Sequence, residues 1–463
     1  MPTQCSAEQY EFSCVERRRV VAAFDGGTVS SDAGALLLKR ADEAIGLIDR
    51  LASCFIDERK PEWIEHTVRT LIGQRVFGIA LGYEDLNDHE QLRHDPVWGT
   101  LLGKLEARRR SECAALAGKS TLNRLELHPR EGEGASRYHK IRPLPAAIER
   151  VFVDVFIESY LEAPLEVVLD LDATDDPLHG HQEGRFFHGY YDGYCYLPLY
   201  IFCGEHLLAA KLRPSNLDAA AGALEEVQRI VAQLRERWPQ TRIILRADSG
   251  FCRDALMSWC EDHGVHYVFG LARNARLTRA IGGELHAAEA ESARTGEAAR
   301  RFQELDYRTR KSWSRSRRVV AKAEHLGDKA NPRFIVTSLP REAHPAQALY
   351  EELYCARGEM ENRIKEAQLN LFADRLSTET FRANQLRLWL SSAAYVLMHA
   401  LRRIGLAGTE LARACANTIR LKLLKIGAVV QISVRRVKLA LSESCPHQRE
   451  FAAAFRQLAA AAR

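Results

Sequence analysis

Two stretches decide the predicted fold, VVLDLDATDD at Val167–Asp176 and RIILRADSGFC at Arg242–Cys252, because each is an apolar strand that runs into acidic residues. The elements around the second stretch alternate in type. Two strands and a helix precede it, and a helix and a strand follow it: Tyr190–Cys203, His206–Leu212, Leu217–Arg237, Arg253–His263 and Tyr267–Leu271. Three successive strands followed by helices alternating with strands predict an α/β fold, built on a mixed sheet with helices on its faces.

Carboxylates stand at three places in this order of elements. Asp172 ends the first strand, and Asp248 ends the fourth. Glu361 lies on a helix predicted at Pro345–Leu369. If strands one and four are neighbours, the two aspartates meet at the carboxyl edge of the sheet, and the helix can bring the glutamate to them. Asp172 is preferred as the first member because it precedes Ala-Thr at the strand end; Asp170, on the same face by strand alternation, is the nearest rival.

Such a cluster of oxygen ligands suits Mg²⁺, with Mn²⁺ as a substitute, because Mg²⁺ is commonly held by one or two carboxylates together with substrate phosphates. Two ions bridged by an aspartate would activate a water or a 3′-hydroxyl for phosphoryl transfer. Each residue alone has an ordinary explanation: an aspartate before Ser249-Gly250 is commonly a helix cap, and a glutamate in a charged helix commonly faces solvent. Only the three together favour a metal site.

The helix around the glutamate carries a stripe of functional groups. Tyr354, Arg357, Glu361 and Lys365 are spaced by three, four and four residues, so they share one helical face. A hydroxyl, a guanidinium and an ammonium beside a carboxylate suit one metal ligand flanked by phosphate contacts. The competing explanation is a surface ladder of ion pairs, worth only about 0.2–0.5 kcal/mol per pair.

The order strand-Asp, strand-Asp-Ser-Gly and Tyr-x-x-Arg-x-x-x-Glu resembles the DDE transposases that have an RNase H-like core with a β-rich insertion before the helix that carries the glutamate. The resemblance is strongest to the bacterial insertion-sequence family IS thirteen-eighty. The stretches that carry it are LDLDATDDPLHGHQEG, LRADSGFC and YCARGEMENRIKEAQL. It covers about Val167–Arg403 and, more loosely, the whole chain.

This resemblance implies that the three carboxylates are a catalytic, metal-binding triad, with Tyr354 and Arg357 assisting at the DNA backbone. The family pattern has a lysine seven residues after the glutamate, where this chain has Gln368. Lys365, one turn after Glu361, is the candidate substitute.

The expected organisation has four parts: a mainly helical N-terminal DNA-binding region at 1–160, an RNase H-like core at 161–272 and 345–405, a β-rich insertion at 273–344, and a C-terminal region at 406–463. The expected function is that of a DNA transposase, which binds the ends of its insertion sequence, cleaves them and joins the 3′-hydroxyl to target DNA. DNA is then the partner, and a homodimer would hold two ends. The alternatives are a metal-dependent DNA nuclease without strand transfer and a non-catalytic DNA-binding protein derived from a transposase.

A basic run within the predicted insertion suggests contact with DNA. Arg308–Arg318 (RTRKSWSRSRR) holds six basic residues, no acidic residue and one tryptophan. Basic runs are usually solvated surface. Inside an insertion beside a DNA-processing core, however, we expect Arg315, Arg317 and Arg318 to follow phosphates and Trp313 to stack on a base.

Two other motifs have weaker functional interpretations. A helix within Ser120–Arg130 could read DNA bases through Asn123 and Arg124, although an ordinary surface helix fits nearly as well. The loop after the first aspartate contains three histidines, His179, His181 and His188. A zinc site there is disfavoured, because no fourth ligand is evident and the glycine-rich spacing suits a loop.

Composition limits the remaining classes of protein. The chain has 463 residues, 46% hydrophobic and 27% charged, with a net charge of +4 that does not by itself indicate nucleic acid. No uncharged apolar run approaches the ~18–20 residues of a membrane span, and the polar Met1–Gln9 does not resemble a signal peptide. Eleven cysteines occur without a C-x-x-C pair, which favours reduced thiols. We therefore expect a cytoplasmic protein.

Overall fold

The computed structural model describes residues 8–107, 113–130, 134, 136–327 and 329–462. The chain divides into two compact units. One contains Ser53–Asp57 and Glu126–His399, and we call it the sheet unit. The other contains Met1–Ala52, Glu58–Leu125 and Ala400–Arg463, and we call it the helical unit.

The sheet unit is built on a nine-stranded mixed sheet. Its main strands are β1 (Glu166–Ala173), β2 (Leu199–Cys203), β3 (His206–Lys211), β4 (Arg242–Ala247), β5 (His266–Leu271), β6 (Ala299–Tyr307), β7 (Arg317–Leu326) and β8 (Arg333–Thr337). Their order across the sheet is β3-β2-β1-β4-β5-β8-β7-β6, and the short strand Lys329–Ala330 pairs with β7. The predicted mixed sheet and α/β class are therefore observed.

Helices and short strands complete this unit. The longer helices are α1 (Pro145–Ile157), α2 (Ala223–Arg237), α3 (Asp254–Asp262), α4 (Ala275–Ala280), α5 (Gly282–Thr295), α6 (Gly358–Leu371) and α7 (Phe381–Ala400), and a short helix covers Ala346–Ala348. A three-stranded sheet is formed by Asp176–Pro177, Phe186–His188 and Gly193–Tyr196, and Phe55–Asp57 pairs with Ile141–Pro143. Apolar residues on α2 at helical spacing are all buried: Val227, Ile230, Val231 and Leu234.

Because side chains alternate along a strand, the two faces of the sheet contribute to different hydrophobic cores. On β4, Ile243, Leu245 and Ala247 belong to the larger hydrophobic core, whereas Ile244 belongs to a smaller core on the other face. Because side chains alternate, Arg246 lies on the face of the smaller core, and Asp248 would continue that series. On β1 the odd-numbered apolar residues belong to the larger core in the same way. The aspartates of β1 are even-numbered and therefore lie on the opposite face of the sheet.

The central pairing is parallel. β1 and β4 run side by side in the same direction, with Ala247 opposite Leu171, so the next residues along the two strands are Asp248 and Asp172. β5 continues the parallel arrangement next to β4, and β2 pairs with β1 in the antiparallel sense. The carboxyl ends of β1 and β4 therefore lie at one edge of the sheet.

The segment 273–344 differs from the expected β-rich insertion in two ways. It begins with helices α4 and α5, whose alanine- and glutamate-rich sequence has good helix propensity. Its strands also extend the central sheet, because β8 pairs antiparallel with β5 and β7 pairs with β8. Strands β7 and β8 thereby cover the β5 edge, which would otherwise present unpaired backbone groups.

The helical unit joins segments far apart in sequence. Its helices are Leu36–Ile45, Leu47–Ser53, Val68–Leu81, His89–Leu92, Pro96–Leu102, Lys119–Glu126, Ala416–Ile419 and Gln448–Ala461, with π-helical turns at Leu401–Gly405 and Arg420–Leu424. The turns Ala33–Ala35, Pro61–Trp63 and Leu86–Asp88 are 3-10 helical. Gln9–Val15 and Arg18–Ala23 form a hairpin, and Val29–Ser30 pairs with the hairpin Ala428–Ser433 and Arg436–Leu441. The units thus divide the chain differently from the predicted segments 1–160 and 406–463.

Asp32 connects segments of this unit that are far apart in sequence. It is buried and accepts hydrogen bonds from Trp98 Nε1 at 3.0 Å and Lys425 Nζ at 2.8 Å. Arg420 Nε similarly donates to the carbonyl of Ala80 at 2.9 Å. None of the helices that the structure describes has the length and apolar character needed to cross a membrane.

Candidate active site

Asp172 and Asp248 lie at the ends of adjacent parallel strands, β1 and β4. Asp248 Oδ1 accepts a hydrogen bond from the backbone N–H of Gly250 at 2.8 Å and so caps the 3-10 turn Ser249–Phe251. The ordinary capping role is therefore real, and it fixes the orientation of the carboxylate at the edge of the sheet.

The Arg357 side chain joins two of the three candidate carboxylates. Its Nη1 lies 3.3 Å from Asp172 Oδ2, and its Nη2 donates to Glu361 Oε1 at 2.9 Å. The side chains of Arg357 and Asp172 are 20% and 16% exposed, whereas that of Glu361 is 45% exposed. Arg357 is therefore not only a member of an ion-pair ladder on the helix surface, because it also connects the helix to the end of β1.

The electrostatics of Asp172 reflect this crowding. Burial raises the pKa of the Asp172 carboxyl to about 6, Arg357 opposes the rise, and the nearby Asp248 and Glu361 add to it. Like charges disfavour ionisation, whereas a neighbouring cation favours it. Asp172 therefore lies within electrostatic range of both other carboxylates.

Asp170, the rival first ligand, has a different partner. Arg246 Nε and Nη2 donate to Asp170 Oδ1 and Oδ2 at 2.5 and 2.7 Å, and Nη1 donates to the carbonyl of Leu353. The side chains are only 4% and 10% exposed. A carboxylate committed to a buried bidentate pair has little capacity left for a metal ion. The sequence did not indicate this role for Arg246.

The predicted continuous helix at Pro345–Leu369 is interrupted. A π-helical turn covers Leu349–Tyr354, a 3-10 turn covers Cys355–Arg357, and α6 begins at Gly358. π-Helical turns are rare and often occur at functional sites. The change of helical type alters how the side chains of Tyr354 and Arg357 are directed relative to Glu361.

Tyr354 depends on a glycine at the end of β5. A Cβ atom at Gly270 would lie 2.7 Å from Tyr354 Oη and 2.8 Å from the backbone nitrogen of Ser249. Both distances are too short, so a side chain at this position would displace the tyrosine or the turn that begins at Asp248. Burial raises the pKa of the Tyr354 hydroxyl, which Arg357 opposes and Asp248 reinforces.

The two residues considered for the family's lysine, Lys365 and Gln368, have different surroundings. Lys365 is exposed on α6, and within the described part of the chain no contact links it with the three carboxylates. Gln368 Nε2 donates to Asp176 Oδ1 at 2.8 Å and to the carbonyl of Asp175 at 3.1 Å. Gln368 thereby fastens α6 to the loop that follows β1.

The prediction for the basic run is wrong for three residues. Trp313 is only 4% exposed and packs in the larger core, edge-on to Tyr307. Arg317 pairs with acidic residues of α3, Asp254 at 2.6 Å and Glu261 at 2.7 Å. Buried groups in these contacts cannot stack on a base or follow phosphates.

Arg318 is also buried, and its Nη2 donates to Glu304 Oε1 at 2.6 Å. Arg315 is half exposed and lies 3.3 Å from Glu261. The run looked unpaired in sequence because its acidic partners come from other elements. Of the four residues, Arg315 alone keeps an exposed side chain.

Among the described residues, one group has metal-ligand atoms that all lie within 4.8 Å of one another, Glu410, His447 and Glu450 of the helical unit. The three histidines after β1 do not form such a group in the described part of the chain, and His181 Nδ1 instead lies 2.9 Å from Arg185 Nη2. The three candidate carboxylates are not that close either, with the Arg357 guanidinium in contact with two of them.

A cavity of about 390 Å³ adjoins Asp248. Its walls come from the ends of β4 and β5, the start of β8 and the π-helical turn, and include Arg273, Arg333 and Tyr350. No local sequence pattern indicates these residues, because the pairing of β5 with β8 brings their segments together.

The fold and the site therefore place the protein in a class of α/β domains that carry acidic residues at two adjacent strand ends and on a neighbouring helix. The chain belongs to the family described as Transposase DDE domain group 1, whose family model matches residues 12–463. It is accordingly a protein of the DDE transposase family.

No match was found among curated proteins. Among solved structures, the chain is similar to the piggyBac transposase in a synaptic complex with hairpin DNA. The sequence identity is 11%, the match covers 85% of this chain and 80% of that chain, and the TM-score is 0.40.

Proposed function

We propose that the protein is the transposase of a bacterial insertion sequence of the IS thirteen-eighty type, cleaving the ends of its element and joining the 3′-hydroxyl to target DNA with Mg²⁺ or Mn²⁺. The observation that carries the proposal is the meeting of Asp172 and Glu361 around one guanidinium, with Asp248 on the adjacent strand end. The family supports a transposase, and the contacts of Arg357 with Asp172 and Glu361 support the choice of these carboxylates.

The order of strands supports an RNase H-like core. Three strands joined in the antiparallel sense, β1, β2 and β3, are followed by two strands parallel to β1, in the spatial order β3-β2-β1-β4-β5. In this arrangement the first and fourth strands are neighbours, as the placement of the two aspartates requires. The strands of 273–344 are then an addition at the β5 edge.

The donor set fits a hard divalent cation. Carboxylate oxygens are the ligands that Mg²⁺ prefers, and Asp172, Asp248 and Glu361 would hold it. The contact of Arg357 with two of these carboxylates supports the fit, because a positive group already occupies part of the space between them. When bound, the metal supplies activation of the attacking oxygen and stabilisation of the leaving oxygen.

The residues around the carboxylates would handle the phosphate. Arg357 can exchange its carboxylate partners for phosphate oxygens, for which its planar fork of donors is suited. The Tyr354 hydroxyl, held against Gly270, can donate to the same backbone. The Asp170–Arg246 pair lies beneath them and, through the Leu353 carbonyl, fixes the π-helical turn that carries the tyrosine.

DNA is the proposed partner, both as element ends and as target, and the DNA-bound form is proposed to be a homodimer acting in the cytoplasm. Arg315 remains a candidate DNA contact, and Lys365 remains a candidate for the family's lysine because its ammonium is exposed one turn after Glu361.

The test is to change each carboxylate to its amide, in Asp172→Asn, Asp248→Asn and Glu361→Gln. The amide keeps the size of the side chain but removes the charge that would hold a metal. We expect loss of Mg²⁺-dependent cleavage of a labelled element end, with binding of that end retained. Glu359→Gln, on the same helix, is the matched control and should remain active.

Full activity of Asp248→Asn would overturn the assignment of the triad. A wild-type protein that cleaves ends but never joins the labelled 3′-hydroxyl to a second duplex would be a nuclease rather than a transposase.

A further inference from the structure

Two arginines and several aromatic residues line the cavity beside Asp248. We propose that this cavity binds one nucleotide of the DNA strand next to the phosphodiester being cut, and that the phosphate of this nucleotide lies between Arg273 and Arg333. This inference rests on the proposed function, and it assigns a DNA contact to residues other than the three candidate carboxylates, Tyr354 and Arg357. The volume of about 390 Å³ lies within the range of ~300–1,000 Å³ that is usual for ligand pockets.

The first argument is the state of the two arginines. Both are exposed, and among the residues that the structure describes neither forms an ion pair with a carboxylate. Several other arginines of the same region are paired: Arg300 with Glu351, Arg301 with Glu291, Arg317 with Asp254 and Glu261, Arg318 with Glu304, and Arg341 with Glu304 and Asp306. The cavity therefore holds two guanidinium groups that are available for a phosphate.

The second argument is the composition of the wall. Tyr350 is 6% exposed and packs against Phe302 and Tyr354, so its ring is held in place. Pro332 and Phe334 give the cavity further apolar surface, and both are buried. A sugar or a base needs this kind of surface, whereas a bare phosphate does not.

The third argument is position. Asp248 and Tyr354 line the cavity and also belong to the candidate active site, so a ligand in the cavity lies beside the reacting phosphate. Asp248 is the one carboxylate among the residues that line the cavity, and it faces two guanidinium groups. The balance of charge favours an anionic ligand such as a nucleotide within a strand.

The experiment removes charge from both partners. Full-length protein carrying Arg273→Gln and Arg333→Gln is compared with wild type in binding end duplexes in which a single phosphate near the cut is replaced by a neutral methylphosphonate. Arg341→Gln is the matched control, because Arg341 is similarly exposed but already paired with Asp306 at 2.8 Å. Thermal melting confirms that the variants fold.

We expect wild type to lose at least about fivefold in affinity when one particular phosphate next to the cut is neutralised, and the double variant to lose nothing further at that position. The slope of log affinity against log salt should fall by about one for each arginine that contacts phosphate. Arg341→Gln should behave as wild type in both measurements.

Two outcomes would overturn the inference in distinguishable ways. If wild type cuts element ends and the double variant responds to every methylphosphonate as wild type does, the nucleotide site is wrong and the proposed function stands. If wild type neither binds nor cuts element ends, the proposed function fails and the nucleotide site fails with it.

Discussion

Replacing Arg357 by lysine should slow cleavage while leaving the fold intact. Arg357 contacts two carboxylates through two different nitrogens, at 3.3 Å to Asp172 and 2.9 Å to Glu361. A lysine ammonium is a single point and cannot span both, nor offer a planar fork to a phosphate. One lost donor at a reacting centre typically costs ~2.7–4 kcal/mol. Because lysine keeps the charge, we expect a smaller rise in the barrier, at least ~1.4 kcal/mol or about tenfold in rate.

The effect on stability should be much smaller. The Glu361 side chain is 45% exposed, so solvent screens its pair with Arg357. We therefore expect the free energy of unfolding to fall by no more than about 1 kcal/mol. A large loss of rate with a small loss of stability would separate a role at the reacting centre from an ion-pair ladder.

The assay is single-turnover cleavage of a labelled element end in excess enzyme, with thermal melting measured in parallel. Arg363→Lys is the control, because Arg363 lies on the same helix, is 25% exposed and also contacts two carboxylates, Glu205 at 2.8 Å and Glu366 at 3.5 Å. Equal rates for wild type and Arg357→Lys, or equal slowing in Arg363→Lys, would refute the reasoning.

Three further predictions concern buried groups. Asp170→Asn should lower the free energy of unfolding by ~3–5 kcal/mol, because the Arg246 guanidinium stays buried without its carboxylate; a loss below ~1 kcal/mol in urea denaturation would contradict the buried pair. Trp313→Ala should cost ~3–5 kcal/mol in stability and leave DNA affinity unchanged in a gel-shift assay, whereas weaker binding at unchanged stability would restore a surface role. Burial raises the pKa of the Asp42 carboxyl to about 6, so the contribution of this group to stability is complete below its pKa in the unfolded chain and is lost as pH rises through 6. The difference in unfolding free energy between wild type and Asp42→Asn should therefore fall by roughly 1 kcal/mol from pH 5 to pH 7. A difference that does not depend on pH would exclude the raised pKa.

Local sequence patterns predicted the central elements well. The stretch Arg242–Cys252 contains the expected strand, Arg242–Ala247, because an apolar run followed by Asp-Ser-Gly contains both the strand and the turn that ends it. The same pattern put Asp172 at the end of its own strand. The order of elements along the chain predicts a mixed sheet, and with it neighbouring strand ends.

Long-range partners could not be predicted in this way. Arg317 and Arg318 belong to a run without acidic residues, yet their carboxylate partners lie on α3 and β6. Asp170 and Asp172 share a face and look alike in sequence, and the difference between them is the arginine on the adjacent strand. The π-helical turn at Leu349–Tyr354 has no counterpart in a pattern of helical spacing.

The composition of the helical unit has a consequence for how the protein is made. Residues of segments 1–52 and 58–125 pack with residues of 400–463, as in the contact of Asp32 with Lys425. At ~5–20 residues per second, the ribosome needs tens of seconds to deliver the later segment after the earlier ones have emerged. During that interval the helix Leu36–Ile45 still lacks its contacts with Gln448–Ala461, so residues that are buried in the folded protein, such as Leu37 and Leu38, are exposed to chaperones and proteases. A product that ends at residue 399 would therefore carry all three candidate catalytic carboxylates, whereas its segments 1–52 and 58–125 would lack the residues 400–463 with which they pack.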